Sequence, residues 1–433
     1  MTPRLLVLIA ACLLPLVLAL LLHGARHPLL RLLPVYAAVV PFGSGLAVPG
    51  LPASWFSASS LLGLVLCLAL SYRLVVGGAL VRGLPTAAGV WLLYAALCAT
   101  TVYWSLVPSD TLGAFVPMLA GIALYVLVRL TPADARVLRR FEWGAIAGGA
   151  AVAVYGLVQL AAGGLAADAG ARLGDELNDP NHLAASLLLP FALALSRAVA
   201  PSRLSVGLVS TVAAVLMLVA VVLTASRGGL LGLGVVVLVL AVAGLHRARV
   251  VLVAGLVMAL AAGLLVTLPG GVHDRLLSGG TSGRTDVWRV ATNACTEHCL
   301  AGSGWGTFGE VYARTLPSTP DARVNPRRTN FEPHNNILLV GVETGVLGLL
   351  LVLIGLGLAV REALHPPAYR RGLPLAALLG LLTTGMLVGN LEFKYFWLVL
   401  MYVGLTSALR SGQAPAPGAD GLVRPALAGG GVR

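Results

Sequence analysis

Apolar runs as long as a membrane-spanning helix dominate this sequence. A helix needs about 20 apolar residues to cross the hydrocarbon core of a bilayer. The runs cover residues 4–22, 28–47, 58–78, 84–104, 111–130, 141–163, 183–200, 203–224, 229–246, 249–268, 336–360, 372–390 and 393–410. Only 11% of the 433 residues are charged, whereas soluble domains carry about 25%. These features exclude a cytosolic enzyme and a nucleic-acid-binding protein, and they predict an all-α, polytopic membrane helix bundle of about 12–13 spans.

The arginines predict which ends of the spans face the cytoplasm. Of the 29 cationic residues, Lys394 is the sole lysine. Short cytoplasmic loops carry an excess of Lys and Arg, and one alternating set of loops collects most of these cations. Most of the remainder lie in residues 269–335, a loop long enough to be translocated regardless of its charge. We therefore expect one long periplasmic loop containing short helices, and a disordered cytoplasmic tail at residues 411–433.

Four polar clusters interrupt the apolar runs, and the predicted topology brings all four to the periplasmic side. The first extends from Arg172 to His182 and contains Asn-Asp-Pro-Asn. The second is Thr224-Ala-Ser-Arg-Gly-Gly, and the third opens with Ser282-Gly-Arg-Thr-Asp-Val-Trp and continues as Gly302-Ser-Gly-Trp-Gly-Thr-Phe. The fourth is Phe331-Glu-Pro-His-Asn-Asn at the start of a span.

Each cluster also has a purely structural interpretation. Asp179 and Asn181 around a proline are typical of a capped helix start, and a capping imidazole is one interpretation of His334. Arg227, so close to hydrocarbon, either faces a water-filled cavity or snorkels to the interface. Glu343 would face the same cavity as His334 if its helix is regular, or it pairs with an arginine.

Two cysteines in the long loop leave a further question open. Cys295 and Cys299 could close a disulfide in an oxidising compartment. The same spacing is ordinary for unpaired thiols on one helix face.

The residue types of the four clusters suit the transfer of a group from a diphosphate. Guanidinium groups bind phosphate oxygens in a bidentate manner, so Arg172, Arg227 and Arg284 are candidates to neutralise a diphosphate leaving group. Neighbouring positive charge favours a neutral imidazole at His334, the form that accepts a proton from an attacking hydroxyl. Further candidate substrate ligands are Asn181, His182, Arg289, Asn335 and Glu343.

These motifs, in this order, resemble the O-antigen ligase and Wzy-type polymerase superfamily of bacterial envelopes. The resemblance covers roughly residues 170–400 and includes Thr-Ala-Ser-Arg-Gly, Ser-Gly-Arg-x3-Trp, Gly-x-Gly-x-Gly-x-Phe and Pro-His-Asn. It implies a glycosyltransferase without metal or other cofactor that moves a glycan from undecaprenyl diphosphate to an acceptor hydroxyl. It implies the bacterial inner membrane as the location and an active site facing the periplasm. Carried over to this chain, Arg227 and Arg284 bind the diphosphate and His334 is the base.

The leading hypothesis is therefore ligation of an O-antigen to lipid A-core oligosaccharide, with membrane lipids and the two glycolipids as partners. Arg172 and the Asn-Asp-Pro-Asn segment look more like the polymerase and O-glycosylation branches, so a Wzy-type polymerase and a protein O-glycosylation ligase stay open. A transporter of anions or lipid-linked sugars is the hypothesis from a different class. We expect three regions, namely N-terminal membrane helices at 1–168, a catalytic region at 169–410 and the tail at 411–433.

Overall fold

A computed structural model defines the parts of the chain that can be described. They are residues 27–47, 56–76, 83–163, 172–174, 179–200, 203–243, 248–253, 284–320, 322 and 332–410, with isolated helical positions at 255, 259 and 263. The predicted span 4–22, most of the predicted span 249–268 and the tail 411–433 lie outside these residues.

Within the described ranges the chain forms α-helices and no β-strand, which confirms the predicted all-α membrane bundle. The first seven helices are α1 (Pro28–Val39), α2 (Ala58–Val75), α3 (Thr86–Thr100), α4 (Pro108–Leu130), α5 (Ala135–Gly163), α6 (Pro180–Ser186) and α7 (Leu188–Val199). The next seven are α8 (Leu204–Leu223), α9 (Arg227–Ala243), α10 (Arg284–His298), α11 (Phe308–Thr315), α12 (Asn336–Ala363), α13 (Leu373–Gly385) and α14 (Lys394–Arg410).

Seven helical stretches in the described residues are long and apolar enough to cross a membrane. They are α2, α3 with its following turn, α4, α5, α6 with α7, α8 and α12. The shorter apolar helices α1 and α9 also coincide with predicted spans. The two short helices α10 and α11 lie in the long loop, as its sequence predicts.

Two of these stretches are broken by residues that disturb a helix. Pro190 in α7 has no N–H to donate to the carbonyl of Ser186, and α6 accordingly ends there, with Leu187 between the two helices. In α12 the backbone of Gly345 has φ 69° and ψ −171°, which is outside the helical region. The bend in α12 lets the carbonyls of Val342 and Glu343 accept backbone N–H groups from the long loop.

The α6–α7 stretch is the centre of the bundle. It is 83% buried, whereas α2 is 28% buried and therefore peripheral. Helices α7 and α8 pack together, α9 packs on α13, α1 on α5, and α3 on α12. At the start of α6, His182 is therefore buried, whereas Asp179 is exposed and Asn181 is half-buried.

The opposite end of the bundle collects ion pairs made by arginines of the predicted cytoplasmic loops. Arg129 at the end of α4 donates two hydrogen bonds, of 2.6 and 2.8 Å, to the Glu362 carboxylate at the end of α12. Glu142 of α5 is fully buried and accepts hydrogen bonds from Arg197 at 2.6 Å and from Arg370. These contacts join α4 to α12, and they join α5 both to α7 and to the segment before α13.

Removal of the Glu142 charge is expected to destabilise this end strongly. A Glu142→Gln variant leaves two buried guanidinium groups without their carboxylate, and breaking a buried pair costs about 3–5 kcal/mol. The matched control is Glu310→Gln, which removes the exposed pair with Arg314 at 2.7 Å and costs about 0–1 kcal/mol. Equal melting temperatures of the two purified variants would contradict this account.

Candidate functional site

The four polar clusters meet at the end of the bundle remote from the Glu142 ion pairs. The turn between α8 and α9 shows how this occurs. Arg172 donates from Nε to the carbonyl oxygen of Thr224 at 2.7 Å, and the adjacent Leu173 N–H bonds to Leu223 at 3.2 Å. Arg227 is the half-buried first residue of α9, three positions after Thr224. The structure therefore brings the first two clusters together.

Asn181 forms a second link between these clusters. Asp179 caps α6, accepting hydrogen bonds from the backbone N–H of Asn181 at 2.7 Å and from its side-chain amide at 2.8 Å. The amide oxygen of Asn181 accepts from the Ser226 hydroxyl at 2.9 Å. Although partial desolvation opposes ionisation, these hydrogen bonds and the charge of Arg172 hold the pKa of Asp179 below its usual value. Asn181 thus acts as a structural bridge.

His182 lies buried between aromatic side chains from the start of the last helix. Its ring stacks on Phe393 with centroids 3.7 Å apart, and its Nδ1 forms a hydrogen bond of 2.9 Å with the Tyr395 hydroxyl. The rings of His182 and His334 are close enough to interact electrostatically. Phe393 and Tyr395 were not predicted as site residues; their position on either side of the sole lysine, Lys394, was the available signal.

His334 occupies an uncommon backbone conformation. Its φ is 48°, in the left-handed region that few non-glycine residues adopt. The following residue, Asn335, caps α12 by accepting from the backbone N–H groups of Ile337 and Leu338 at 2.9 and 3.2 Å. The capping side chain is therefore Asn335, and the half-buried imidazole of His334 projects from a strained turn.

Arg284 lies on the face of its helix that contacts the segment around His334. It is the first residue of α10, and Trp288, one turn later, donates from its indole N–H to the carbonyl oxygen of Pro333 at 2.7 Å. Arg289 instead lies on the exposed side, 3.4 Å from Asp286. Helix α10 thus carries Arg284 on the face that contacts the His334 segment, whereas Arg289 is exposed.

The chain resembles a known protein family over part of its length. Residues 212–353 match the Wzy_C family model, which describes O-antigen ligases. This region, the ligase domain, spans about a third of the chain and is similar to O-antigen ligases. No individual curated protein matches the chain. The resemblance predicted from the sequence is confirmed, and the match together with the membrane helices identifies a membrane enzyme of the glycan ligase or polymerase type.

The ligase domain contains Arg227, Arg284 and His334, whereas Arg172 and His182 precede it in the sequence. Packing nevertheless brings Arg172 to the turn before Arg227, and the ring of His182 to the vicinity of His334. The candidate site therefore extends beyond the ligase domain.

The glycine-rich turn of the ligase domain docks on the break in α12. The bend at Gly345 frees helix carbonyls, and those of Val342 and Glu343 accept the N–H groups of Ser303 and Gly304, both at 3.0 Å. These two backbone hydrogen bonds attach the turn, and with it the loop helices, to the membrane bundle. We call them the backbone clamp.

Glu343 lies under this turn and not beside His334. Its side chain is buried, and Oε1 accepts the backbone N–H of Phe308, the first residue of α11, at 2.9 Å. Because the N–H groups at a helix start attract a carboxylate, the Glu343 side chain points toward the start of α11. The expectation that Glu343 faces the cavity of His334 or pairs with an arginine is corrected accordingly.

A methyl group at Gly302 is expected to disrupt the clamp. Gly302 has φ 83°, and an added Cβ would meet the Glu343 carbonyl oxygen. Gly302→Ala should lower stability by about 1–3 kcal/mol through backbone strain and reduce glycan transfer. Gly309→Ala, in α11 with open space around it, is the control and should be neutral or slightly stabilising. Thermal unfolding of both variants measures the difference, and equal stability would refute the clamp.

Cys295 and Cys299 form a disulfide near the C-terminal end of α10. The bond resolves the question that their spacing left open. It lies in the loop predicted to be periplasmic, an oxidising compartment.

The carboxyl group of Glu392 was not predicted as part of the site, although it immediately precedes Phe393, the ring that stacks on His182. Glu392 lies in the turn between α13 and α14. Burial, together with the charge of Glu332, raises the pKa of Glu392 to about 7. Its carboxyl group therefore exchanges a proton near neutral pH, a property that is common in active sites.

Proposed function

We propose that the protein is an inverting glycosyltransferase that moves an O-antigen from undecaprenyl diphosphate to a hydroxyl of lipid A-core oligosaccharide. The observation that carries the proposal is the meeting of Arg172, Arg227, His182 and His334 at one end of a membrane bundle that contains an O-antigen ligase domain. The predicted cytoplasmic arginines lie at the opposite end, which supports a periplasmic site.

In this mechanism the bond between the anomeric carbon and the diphosphate oxygen breaks while the acceptor oxygen bonds to the opposite face of that carbon. The diphosphate leaves with the electron pair, and the anomeric configuration is inverted. Arg172, Arg227 and Arg284 neutralise the charge that develops on the leaving group. His334 takes the proton of the attacking hydroxyl.

Helix α9 is suited to bind both the diphosphate and the polyprenyl chain of such a donor. Arg227 begins the helix, where the positive end of the helix dipole also favours an anion. Exposed apolar side chains continue from it along one face, Leu231 at 57%, Leu238 at 61% and Val242 at 61%. A polyprenyl chain in the bilayer would run along this face while its diphosphate meets Arg227.

Reconstitution tests the proposal directly. The purified protein in lipid nanodiscs is incubated with an undecaprenyl diphosphate-linked glycan, lipid A-core acceptor and a metal chelator. We expect the acceptor to gain the glycan, which gel mobility and mass spectrometry detect. A folded protein that moves the donor between leaflets without transferring the glycan would overturn the proposal in favour of a transporter.

The acceptor distinguishes a ligase from a polymerase. A strain lacking the protein is expected to lose the capped core and to accumulate polymer on undecaprenyl diphosphate. Lipopolysaccharide whose core carries a single repeat unit would instead identify a polymerase, the alternative suggested by Arg172 and the Asn-Asp-Pro-Asn segment.

A further inference from the structure

The imidazole ring of His182 is held in one orientation, which a residue at a helix start does not need for capping. Asp179 and Asn181 already cap α6, so the imidazole is not needed for that purpose. The ring is buried, with one face on Phe393 at an interplanar angle of 18° and Nδ1 bound to Tyr395. Stacking and the hydrogen bond together determine both the plane and the rotation of the ring.

The segment that supplies these contacts is itself anchored on both sides. Between the two aromatic residues, Lys394 donates from Nζ to three hydroxyl groups at the start of α2, at 3.1, 3.0 and 2.7 Å. These hydroxyls belong to Ser57, Ser59 and Ser60. Nearby, the Asn336 side-chain amide donates to Oδ1 of Asn390 at 2.7 Å, and the backbone N–H of Asn390 donates to Oδ1 of Asn336 at 3.0 Å. Residues 390–395 therefore connect the supports of His182 with the start of α12, two residues after His334.

We propose that Tyr395 is a positioning residue for His182, and that His182 binds the diphosphate of the donor through Nε2. The inference rests on the proposed function. A phenol is the stronger donor and an imidazole nitrogen the stronger acceptor, so the Tyr395 hydroxyl donates to Nδ1. The ring proton then resides on Nε2, which donates to a phosphate oxygen as the leaving group gains charge. His182 thus adds a neutral donor to the cationic Arg172 and Arg227.

Kinetics of single and double variants test this arrangement. His182→Ala should lower kcat by roughly 100-fold, the loss expected for one donor to a developing anion. His182→Gln, which keeps an N–H near the Nε2 position, should restore part of that loss. Tyr395→Phe should lower kcat by roughly 5- to 10-fold, the loss of one hydrogen bond, but should have little further effect in His182→Gln.

The double-variant comparison separates positioning from simple stability. A purely structural Tyr395 would weaken both backgrounds equally, so additive effects would overturn the proposal. The matched control is Tyr402→Phe, which removes a hydroxyl on the same helix that bonds Glu142 at 3.3 Å. It should leave kcat unchanged.

Nitrogen-15 NMR of histidine-labelled protein provides a readout independent of transfer. The His182 signals, assigned by their loss in His182→Ala, should show the proton on Nε2, and Tyr395→Phe should shift the Nδ1 signal. A proton on Nδ1, or no shift, would overturn the positioning of His182. If the NMR result holds but wild-type protein transfers no glycan, the proposed function fails while the positioning by Tyr395 stands.

Discussion

Replacement of His334 by alanine is expected to lower glycan transfer by about 10²- to 10⁴-fold, the usual contribution of a general base. The imidazole is the proposed acceptor of the proton from the attacking hydroxyl, and alanine has no group to receive it. Initial rates in nanodiscs with saturating donor measure the effect. His365→Ala is the matched control, since this exposed histidine follows the other end of α12. It should leave the rate unchanged.

The backbone of His334 permits a sharper version of this experiment. Because φ is 48°, glycine should relieve strain of about 1 kcal/mol at this position. His334→Gly is therefore expected to unfold at a temperature no lower than that of the wild type and yet to be inactive. Retained transfer in a folded His334→Gly variant would exclude His334 as the base.

Replacement of Arg227 by alanine is expected to lower kcat by about 10²- to 10³-fold, the loss seen when one charge-stabilising donor is removed. The guanidinium is the proposed partner of the departing diphosphate at the start of α9. Arg227→Lys keeps the charge but not the bidentate geometry, so it should recover only part of the rate. Steady-state kinetics with varied donor concentration distinguish the two variants.

Arg410→Ala is the control for the arginine experiment. Arg410 is the exposed last residue of α14, at the opposite end of the bundle. Its removal should not change kcat. Equal losses in Arg227→Ala and Arg410→Ala would indicate a general effect of charge on the membrane protein and would contradict a local function for Arg227.

Much of the fold could be predicted from local sequence. Apolar runs of sufficient length indicate membrane helices wherever they occur, and each predicted span within the described residues corresponds to a helix. The breaks were harder to predict. Pro190 ends α6 within a predicted span, and Gly345 bends α12, because the effect of such a residue depends on what receives the freed carbonyls.

The candidate site was predicted in part. The polar clusters containing Arg172, Arg227 and His334 were expected on one face, and the structure brings them to one end of the bundle. The partners of individual side chains were not predictable. Asn181 bonds Asp179 and Ser226, a residue 45 positions later, and this pairing appears only when α6 and α9 pack together.

The sequence alone determined the membrane bundle, the end of each span that carries positive charge, and the motifs of an O-antigen ligase domain. These properties are local, since hydrophobicity and charge act on each segment separately. Only the tertiary structure decided that Glu343 supports the glycine-rich turn, and that Phe393 and Tyr395 hold His182. Such contacts join residues far apart in the chain, and their geometry follows from how the helices pack and where they bend.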